Sequence, residues 1–346
     1  MSSSTPVADG FRMPAEWAPH ERTWMAWPSL NATFTDAEEL DSARTAWAEV
    51  ARTIRRFEPV TVVVGPGGTD SARTYLGDGI DIVERELNDA WMRDIGPTFV
   101  TDGTELRAVD WIFNGWGAQD WASWEHDSKI AAYVAERAGV QTYASRLVNE
   151  GGGIHVDGEG TVLLTETVQL GPERNPHWTK EEVEAEIHAH LGTTKAIWLP
   201  RGLTADYGTY GTLGHVDIVA SFARPGTVLV HTQPDPAHPD HEVCKEIADF
   251  LRTRTDAKGR TLEVIEVAAP TVLKEDDDWV DYSYINHYLC NGGVVLCGFG
   301  DAERDENAAA IFRGLFPDRE VVLVDARPIF ANGGGIHCIT QQQPRV

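Results

Sequence analysis

A short glycine-rich segment that recurs before apolar runs is the feature that most restricts the fold of this chain. Residues 149–155 read NEGGGIH, and residues 332–337 read NGGGIH. Residues 214–217, GHVD, likewise begin with glycine and open an apolar run. Segments 93–97 (RDIGP) and 284–287 (YINH) can occupy the same place in a repeating unit. Such recurrence is typical of chains built from several similar structural units.

One polar residue marks each of these five segments. The markers are spaced 52 to 71 residues apart: Asp94, Glu150, His215, Asn286 and Cys338. Apolar periodicity and capping signals predict five helices, approximately over 36–56, 124–138, 179–191, 241–254 and 302–315. Strands are predicted over 61–65, 161–168, 215–222, 227–231, 262–267, 294–297 and 320–325. This alternation predicts an α/β fold of five similar units around an axis. Chance recurrence of glycine-rich turns is the alternative.

The chain is expected to form one domain over residues 1–346, with residues 1–12 as a disordered N-terminal tail. Its length suits one or two compact domains, and no Ser/Gly-rich linker or change of composition divides it. The N-terminal residues lack the pattern of a signal peptide, and no apolar run approaches the roughly 18 residues of a membrane helix. The four cysteines show no C-x-x-C spacing. This favours a reducing cytoplasm over a disulfide framework or structural zinc.

The net charge favours a small cationic partner. The chain has 29 Lys and Arg residues against 54 Asp and Glu residues, which leaves −25. Such a field repels nucleic acid and anionic membranes, so neither is expected as a partner. Solubility alone is the other interpretation of this acidity.

Cys338 is a candidate nucleophile because it directly follows a glycine-rich turn, where backbone and ligand can approach closely. A nucleophilic cysteine needs access and an environment that favours the thiolate. The alternative is a small buried apolar residue. That second interpretation is the one we expect for the other three cysteines: Cys244, Cys290 and Cys297.

His215 and Asp217 form a second candidate pair. On the predicted strand over 215–222, residues i and i+2 point to one face, so both side chains can reach the same pocket. The histidine can donate and accept a proton near neutral pH, and the carboxylate can bind a cation. A hydrogen-bonded structural pair is the alternative.

Two further carboxylates lie beside glycine-rich backbone, Asp94 and Glu150. Asp94 and Asp217 could hold a guanidinium group through paired hydrogen bonds. A planar cation also stacks on aromatic faces, which is a possible role for Trp91 or Trp116. Core packing is the alternative for both tryptophans. The residue types thus form a set of thiol, imidazole and carboxylates that suits a cationic ligand.

Long motifs of the chain resemble agmatine deiminases, members of the bacterial-type peptidylarginine deiminase family within the guanidino-modifying pentein superfamily. The resemblance runs from about Met13 to Pro344. The motifs are MPAEWAPHERTWMAWP, WMRDIGPTFV, EGGGIHVDGEGTVLLTE, RNPHWTKEEVE, KAIWLPRGL, GHVD, FPDREVV and GGGIHCITQQQP. The resemblance implies a five-bladed α/β propeller with a central active site. It also implies hydrolysis of agmatine to N-carbamoylputrescine and ammonia, without metal or organic cofactor, in polyamine metabolism.

The resemblance also implies roles for the candidate residues. Cys338 takes the nucleophile position, and His215 takes that of the general acid and base. Asp94 and Asp217 hold the guanidinium, and Glu150 supports the histidine or the substrate.

The chain departs from the family pattern before the histidine. Family members usually carry an acid-rich stretch there, whereas this chain has the longer segment ADYGTYGTLGHVDIV, with Asp206 as its only upstream acid. Asp206 is therefore a candidate ligand for the ammonium tail of the substrate. The loop over residues 204–214 leaves another guanidine open as the substrate.

Four other functions remain open. The nearest is a deiminase of free arginine, peptidyl arginine or another alkylguanidine. An amidinotransferase would use similar thiol chemistry, and a non-catalytic pentein would only bind guanidines. A metallohydrolase could use His238 and His241, although this spacing shows no third ligand. A homo-oligomer is an expectation from the family alone.

Overall fold

The computed structural model of the chain describes residues 4–275 and 277–346. Eighteen strands lie within these residues. They are β1 (His20–Ala26), β2 (Val60–Val64), β3 (Asp81–Glu84), β4 (Thr98–Thr101), β5 (Leu106–Ile112), β6 (Thr142–Val148), β7 (His155–Val156), β8 (Thr161–Thr165), β9 (Lys195–Leu199), β10 (Ala220–Arg224), β11 (Thr227–Thr232), β12 (Glu263–Ala268), β13 (Lys274–Glu275), β14 (Asp278–Trp279), β15 (Tyr288–Cys290), β16 (Gly293–Gly298), β17 (Glu320–Asp325) and β18 (Thr340–Pro344).

Ten α-helical segments accompany these strands in the described residues. They are α1 (Ala37–Arg55), α2 (Thr69–Leu76), α3 (Met92–Ile95), α4 (Gly115–Ala118), α5 (Ile130–Ala138), α6 (Glu166–Gln169), α7 (Lys180–Leu191), α8 (Asp240–Arg252), α9 (Ala302–Leu315) and α10 (Arg327–Phe330). The five predicted helices correspond to α1, α5, α7, α8 and α9. The second begins later than predicted because Asp127–Lys129 form a 3-10 turn.

Five small sheets share one plan. In each, the first strand pairs antiparallel with the second, and the second pairs parallel with the third. The sheets are β4-β5-β6, β7-β8-β9, β10-β11-β12, β15-β16-β17 and β18-β1-β2-β3. The C-terminal strand β18 therefore supplies the first strand of the sheet that begins near the N-terminus. The predicted α/β class is confirmed.

One long helix joins the second and third strands of every sheet. These crossovers are α1, α5, α7, α8 and α9. Two neighbouring parallel strands need such a crossover, because the chain must return to the starting end of the sheet before the next strand begins, and a tight turn is too short for this. Strands β8 and β16, each second in its sheet, and β2, third in the four-stranded sheet, are buried along their whole length. Their β-branched and leucine side chains fit strands that are covered on both faces.

Local signals explain the ends of the helices. In α7, the Thr179 hydroxyl accepts from the Glu182 amide while the Glu182 carboxylate accepts from the Thr179 amide, as the sequence predicts. Gly192 ends this helix with a φ of 71°, which glycine adopts without steric cost. In α1, Asp36 caps the first turn, and buried side chains recur every three or four residues towards the core.

The predicted strand over residues 215–222 is wrong in its first half. Residues Val216–Ile218 form a 3-10 turn, and β10 begins at Ala220. The Asp206 carboxylate accepts from the amides of Gly214 and His215, and Gly214 has a φ of 115°. These interactions bend the chain where its apolar pattern alone indicates a strand. The predicted strand over 161–168 likewise stops at Thr165, where α6 follows.

The N-terminal segment also differs from the prediction over residues 4–12; residues 1–3 lie outside the described residues. Val7–Asp9 form a 3-10 turn, and Phe11 is buried in an apolar cluster with Tyr143. Arg12 and Thr101 exchange backbone hydrogen bonds. The single large apolar residue Phe11 anchors a segment whose composition otherwise indicates disorder.

The shared plan of the sheets places the five marker residues in equivalent positions. Each marker lies in the short segment just before the first strand of one sheet: Asp94 (in α3, before β4), Glu150 (β7), His215 (β10), Asn286 (β15) and Cys338 (β18). Their arrangement around one axis stays a prediction at this point. Over the described part of the chain, no helix has both the length and the apolar character needed to cross a membrane.

Candidate active site

The thiol of Cys338 lies buried in the turn before β18. Its Sγ atom is 3.5 Å from Asp217 Oδ2, and Asn286 Nδ2 donates to it over 3.3 Å. The glycines before the cysteine allow this turn to pack closely. A Cβ atom on Gly334 would lie 3.1 Å from the Cys338 sulfur and 2.7 Å from the Trp91 ring. A side chain at residue 334 would therefore crowd the thiol.

His215 lies between two carboxylates. Its Nε2 atom is 3.3 Å from Glu150 Oε2, and its Nδ1 atom is 3.8 Å from Asp94 Oδ1. Glu150 in turn accepts from Arg174 Nε over 3.0 and 3.1 Å. All four side chains are almost completely buried. Buried charges need paired partners of this kind, since each isolated charge is costly to remove from water.

Asp94 is held by two donors in the turn before β4. The Gly152 amide donates to Oδ1 over 2.9 Å, and the Trp116 indole donates to Oδ2 over 2.9 Å. The glycine-rich segment that contains Glu150 thus supplies a backbone donor to a carboxylate from another sheet.

Three chemically active groups approach one point beside Gly152. A Cβ atom on Gly152 would lie 2.5 Å from His215 Nδ1, 3.0 Å from Asp94 Oδ1 and 3.1 Å from Asp217 Oδ2. Asp217 Oδ2 is also the oxygen beside the Cys338 sulfur. The structure therefore brings together the five predicted catalytic residues. Within the described residues, neither His215 Nδ1 nor Asp217 Oδ1 has a hydrogen-bond partner, although both atoms are buried.

The carboxylates determine the protonation of the histidine and the thiol. Burial alone would lower the pKa of His215, but the charges of Asp94 and Glu150 outweigh it and raise this pKa to about 9. Burial, together with the charges of Asp217 and Asp94, raises the pKa of Cys338 well above its ordinary value. At neutral pH the pair is thus an imidazolium and a neutral thiol.

The three carboxyl groups differ from one another. Burial raises the pKa of Asp94. For Glu150, burial is outweighed by the charges of Arg174 and His215, so the pKa lies below its ordinary value. For Asp217, burial is outweighed by the hydrogen bond from His337, and the pKa is again lowered. Glu150 and Asp217 therefore stay ionised in the site.

The predicted substrate-binding tryptophans both border the site. The Trp91 ring covers the turn beside Cys338 and packs edge-on against Trp47, with centroids 5.5 Å apart. Trp116 has a φ of 56° and stacks on Trp121 at 5.3 Å, with its indole nitrogen bound to Asp94. Trp116 therefore contributes a hydrogen bond as well as an aromatic face.

Asp206, predicted as a ligand for the substrate's ammonium tail, makes its hydrogen bonds within its own loop instead. Its two carboxylate oxygens accept from the amide and hydroxyl of Thr212 and from the amides of Gly214 and His215. The carboxylate is saturated by its own loop. Asp206 thus shapes residues 206–215 and places the histidine.

The two histidines of the HPDHE segment serve other purposes. His238 Nε2 lies 2.9 Å from the Val280 carbonyl, and His241 Nδ1 lies 2.8 Å from the Gln233 carbonyl. Across residues 4–275 and 277–346, no three His, Cys, Asp or Glu side chains are grouped as a metal ion would require.

Three residues without a predicted chemical role join the site's network: Arg174, Glu16 and His337. His337 Nδ1 lies 2.8 Å from Asp217 Oδ2, and His337 Nε2 lies 2.8 Å from Glu16 Oε1. Each residue lies within one of the long motifs that carry the family resemblance. Position within a motif was the only signal, because their partners are up to 321 residues away in the chain.

A mixed α/β fold with a buried thiol, an imidazolium and paired carboxylates defines a candidate cysteine-dependent site for a cation. Comparison with known families agrees with this class. The model of the Porphyromonas-type peptidyl-arginine deiminase family matches residues 12–344. The chain belongs to this family.

Individual relatives narrow the comparison to agmatine deiminases. A Streptomyces avermitilis protein, provisionally named agmatine deiminase, is 73% identical over 345 residues, which cover 99% of both chains. Agmatine deiminase of Pseudomonas aeruginosa is 42% identical, with 99% of this chain and 98% of the relative covered. The solved structure of agmatine deiminase from Enterococcus faecalis superimposes with a TM-score of 0.93 at 36% identity, covering 100% and 99% of the two chains.

Proposed function

We propose that this protein is an agmatine deiminase, which hydrolyses agmatine to N-carbamoylputrescine and ammonia. The observation that carries the chemistry is the approach of His215, Asp94 and Asp217 to one point, with the Cys338 thiol beside Asp217. The choice of agmatine is supported by the names of the full-length relatives.

The first half of the proposed reaction forms a covalent intermediate. Asp94 and Asp217 bind the nitrogens of the guanidinium, whose positive charge offsets the carboxylate field that disfavours the thiolate. The Cys338 thiol loses its proton to solvent, and the thiolate attacks the guanidinium carbon. The His215 imidazolium then protonates one nitrogen, so that the carbon–nitrogen bond breaks and ammonia leaves. An S-alkylthiouronium remains on Cys338.

The second half restores the enzyme. Neutral His215 takes a proton from water as the water oxygen attacks the thiouronium carbon. The carbon–sulfur bond then breaks, Cys338 leaves as thiolate, and the ureido product loses its extra proton to solvent. Glu150, held by Arg174, stabilises the imidazolium that forms again.

We further propose that the five sheets stand around a central axis as the blades of a pentein propeller, within one domain. Their common strand order supports this arrangement, as does the position of one marker residue before each first strand. The loops that enter the first strands would then meet at the axis, around the active site.

The proposed partner is a small cationic guanidine rather than nucleic acid or membrane, in keeping with the net charge of −25. We also propose a cytoplasmic location, which suits four cysteines without disulfide bonds in the described residues. A homo-oligomer remains a family-based proposal.

A deiminase acting on another guanidine is the second candidate. The observation that favours it is the loop over residues 204–214, where the only acid, Asp206, is saturated by its own loop. The ammonium tail of agmatine must then be bound by other residues.

The test is ammonia release from agmatine, arginine, an arginine peptide and guanidinobutyrate, with wild type and Cys338→Ala compared. Preference for agmatine, lost in the variant, is the expected result. Preference for another guanidine would change the proposed substrate but leave the proposed reaction mechanism unchanged. Turnover by Cys338→Ala would refute the mechanism, and no turnover by wild type would favour a binding protein.

A further inference from the structure

A chain of buried ionisable groups lies behind Asp217, on the side away from Glu150. His337 stands between two carboxylates, with Nδ1 2.8 Å from Asp217 Oδ2 and Nε2 2.8 Å from Glu16 Oε1. All three side chains are almost completely buried. An imidazole can donate to two acceptors only when both of its ring nitrogens carry protons. Because the pKa values of Glu16 and Asp217 both lie below their ordinary values, both carboxylates are acceptors, and the geometry points to an imidazolium at His337.

Glu16 is the counter-charge that makes this imidazolium possible. Burial would raise the pKa of Glu16, but His337, the neighbouring His155 and the Arg93 guanidinium hold it well below its ordinary value. Arg93 Nη1 lies 3.5 Å from Oε1, and His155 Nε2 lies 3.6 Å from Oε2. Glu16 thus joins the N-terminal segment to α3, β7 and the turn that carries Cys338.

The other charged groups around His337 do not replace Glu16. Burial and Arg93 both lower the pKa of His337. Glu16 and Asp217 raise it by more, so that this pKa lies above its ordinary value. His287, also nearby, is neutral because burial lowers its pKa to about 3. Among the described residues, the two carboxylates are therefore the groups that favour the second proton on His337.

The state of His337 decides the state of Asp217. The hydrogen bond from His337 and its charge outweigh burial and keep the pKa of Asp217 low, with smaller help from His215 and Arg93. His337 also fixes Oδ2, while Oδ1 is buried without a partner in the described residues. Besides burial, the charge of Asp217 raises the pKa of Cys338 and of Asp94, so the state of Asp217 affects both groups.

We propose that Glu16 is a positioning residue, which keeps His337 doubly protonated and thereby holds Asp217 ionised and oriented for the guanidinium. This inference rests on the proposed function, since the guanidinium site is its target. Glu16 touches neither the thiol nor the candidate substrate position. Its effect is transmitted through His337 over two hydrogen bonds.

Glu16→Gln tests the proposal because it removes the charge and can keep the hydrogen bonds. The introduced side-chain amide can donate to Nε2 of a neutral His337. The Nδ1–H group of that histidine still donates a hydrogen bond to Asp217. We expect KM for the guanidine to rise about tenfold or more, with a smaller change in kcat, because a charge-assisted hydrogen bond to Asp217 becomes a neutral one. At the acid end of the kcat/KM profile, the point at which a second proton begins to lower the rate should move to higher pH, since the pKa of Asp217 rises.

Glu16→Asp and Glu58→Gln are the matched controls. Glu16→Asp keeps the charge and should recover most of the KM and the pH profile. Glu58→Gln breaks another buried histidine–carboxylate pair, His20 Nδ1 to Glu58 Oε1 at 3.0 Å. His20 Nε2 lies 2.9 Å from the Glu16 backbone carbonyl, so this control perturbs the Glu16 main chain but keeps its carboxylate charge. It should lower the melting temperature and leave KM and the pH profile unchanged. A folded Glu16→Gln protein that behaves like Glu58→Gln would overturn the proposal.

A spectroscopic readout separates this inference from the proposed function. In protein labelled with ¹⁵N-histidine, the His337 resonances, assigned from their loss in His337→Gln, should show two protonated ring nitrogens at neutral pH. Glu16→Gln should show one. A singly protonated His337 in wild type would overturn the proposal whether or not the variants fold. Absence of guanidine turnover in wild type would refute the proposed function but leave this spectrum to decide on Glu16.

Discussion

At the scale of single residues, His215 has the protonation state that the first chemical step needs, but Cys338 does not. The free site holds a neutral thiol beside an imidazolium, because the same carboxylates raise the pKa of both groups. Attack requires the thiolate together with the imidazolium. The reactive form therefore has one proton fewer than the form that dominates at neutral pH.

This proton count predicts the pH dependence of kcat/KM. The first proton leaves the pair with an apparent pKa near that of His215, which is raised to about 9. Below this value, kcat/KM should rise about tenfold per pH unit, because the fraction that has lost one proton grows at that rate. Initial rates measured from pH 6 to pH 10 check this. A profile that is flat between pH 7 and pH 8.5 would contradict the assigned protonation states.

A second residue-scale prediction concerns the Arg174–Glu150 pair. Arg174→Met leaves a buried carboxylate without its cation and should lower the free energy of unfolding by about 3–5 kcal/mol. Urea denaturation measures this loss. The control is Arg313→Ala, which breaks the exposed Arg313–Glu306 pair on α9 and should cause a much smaller loss, because solvent screens exposed ion pairs. Equal losses in the two variants would show that Arg174 is not holding a buried charge.

Much of the chemistry could be predicted residue by residue, but its partners could not. Cys338, His215 and Asp217 stand in motifs whose residue types indicate nucleophilic and acid–base chemistry. Glu16 and His337 show no such pattern, because their importance arises from contacts between opposite ends of the chain. Asp206 shows the reverse case. Its residue type fits a substrate ligand, and only the structure shows that its oxygens are occupied.

At the scale of elements, two loops beside the site contain most of the non-glycine residues with left-handed backbone. Among the described residues these are Trp116, Ala118, Tyr210 and Leu213, with Asp277 as the fifth. Such conformations cost about 1 kcal/mol or more each and persist where the surroundings enforce them. The loops support each other, since Gln119 Nε2 donates to the Gly211 carbonyl over 2.6 Å and the rings of Trp121 and Tyr210 pack together.

The glycine-rich element before β7 gives an element-scale prediction. Gly152→Ala should reduce kcat/KM by at least about a hundredfold, because its Cβ atom would lie 2.5 Å from His215 Nδ1, within the position proposed for substrate. The matched control is Gly65→Ala, whose Cβ atom would meet nothing within 4 Å. Steady-state kinetics and circular dichroism compare the two. Unimpaired activity in a folded Gly152→Ala protein would refute the proposed position.

Elements with strong local signals were predictable, and those governed by distant contacts were not. The capping box and the glycine stop of α7 are local, and both are present as predicted. The strand expected at residue 215 is replaced by a turn, because the Asp206 carboxylate captures the amides of Gly214 and His215. An apolar pattern predicts which residues are buried, but it does not predict a hydrogen bond formed across a loop.

At the scale of the whole molecule, the sequence repeat corresponds to five sheets with one strand order. The repeat could predict equivalent positions for the marker residues. It could not predict that the side chains of His215, Asp94 and Asp217 would approach one point, since this depends on how the sheets pack. The net charge of −25 acts on the same scale, because its field extends beyond any single contact.

This field predicts a salt dependence. The kcat/KM for dicationic agmatine should fall several-fold as ionic strength rises from about 10 to 300 mM, because the Debye length shortens from about 30 Å to below 10 Å. Guanidinobutyrate, which has no net charge, should respond less, measured as substrate or as competitive inhibitor. Equal salt responses for both compounds would show that the acidic surface does not attract the substrate.

The most direct test of covalent guanidine chemistry at Cys338 is mass spectrometry of enzyme quenched with acid during turnover of agmatine. The account predicts a mass increase equal to agmatine less ammonia, located by peptide mapping on Cys338 and absent from Cys338→Ala. An adduct on another cysteine, or turnover by the Cys338→Ala protein, would contradict it.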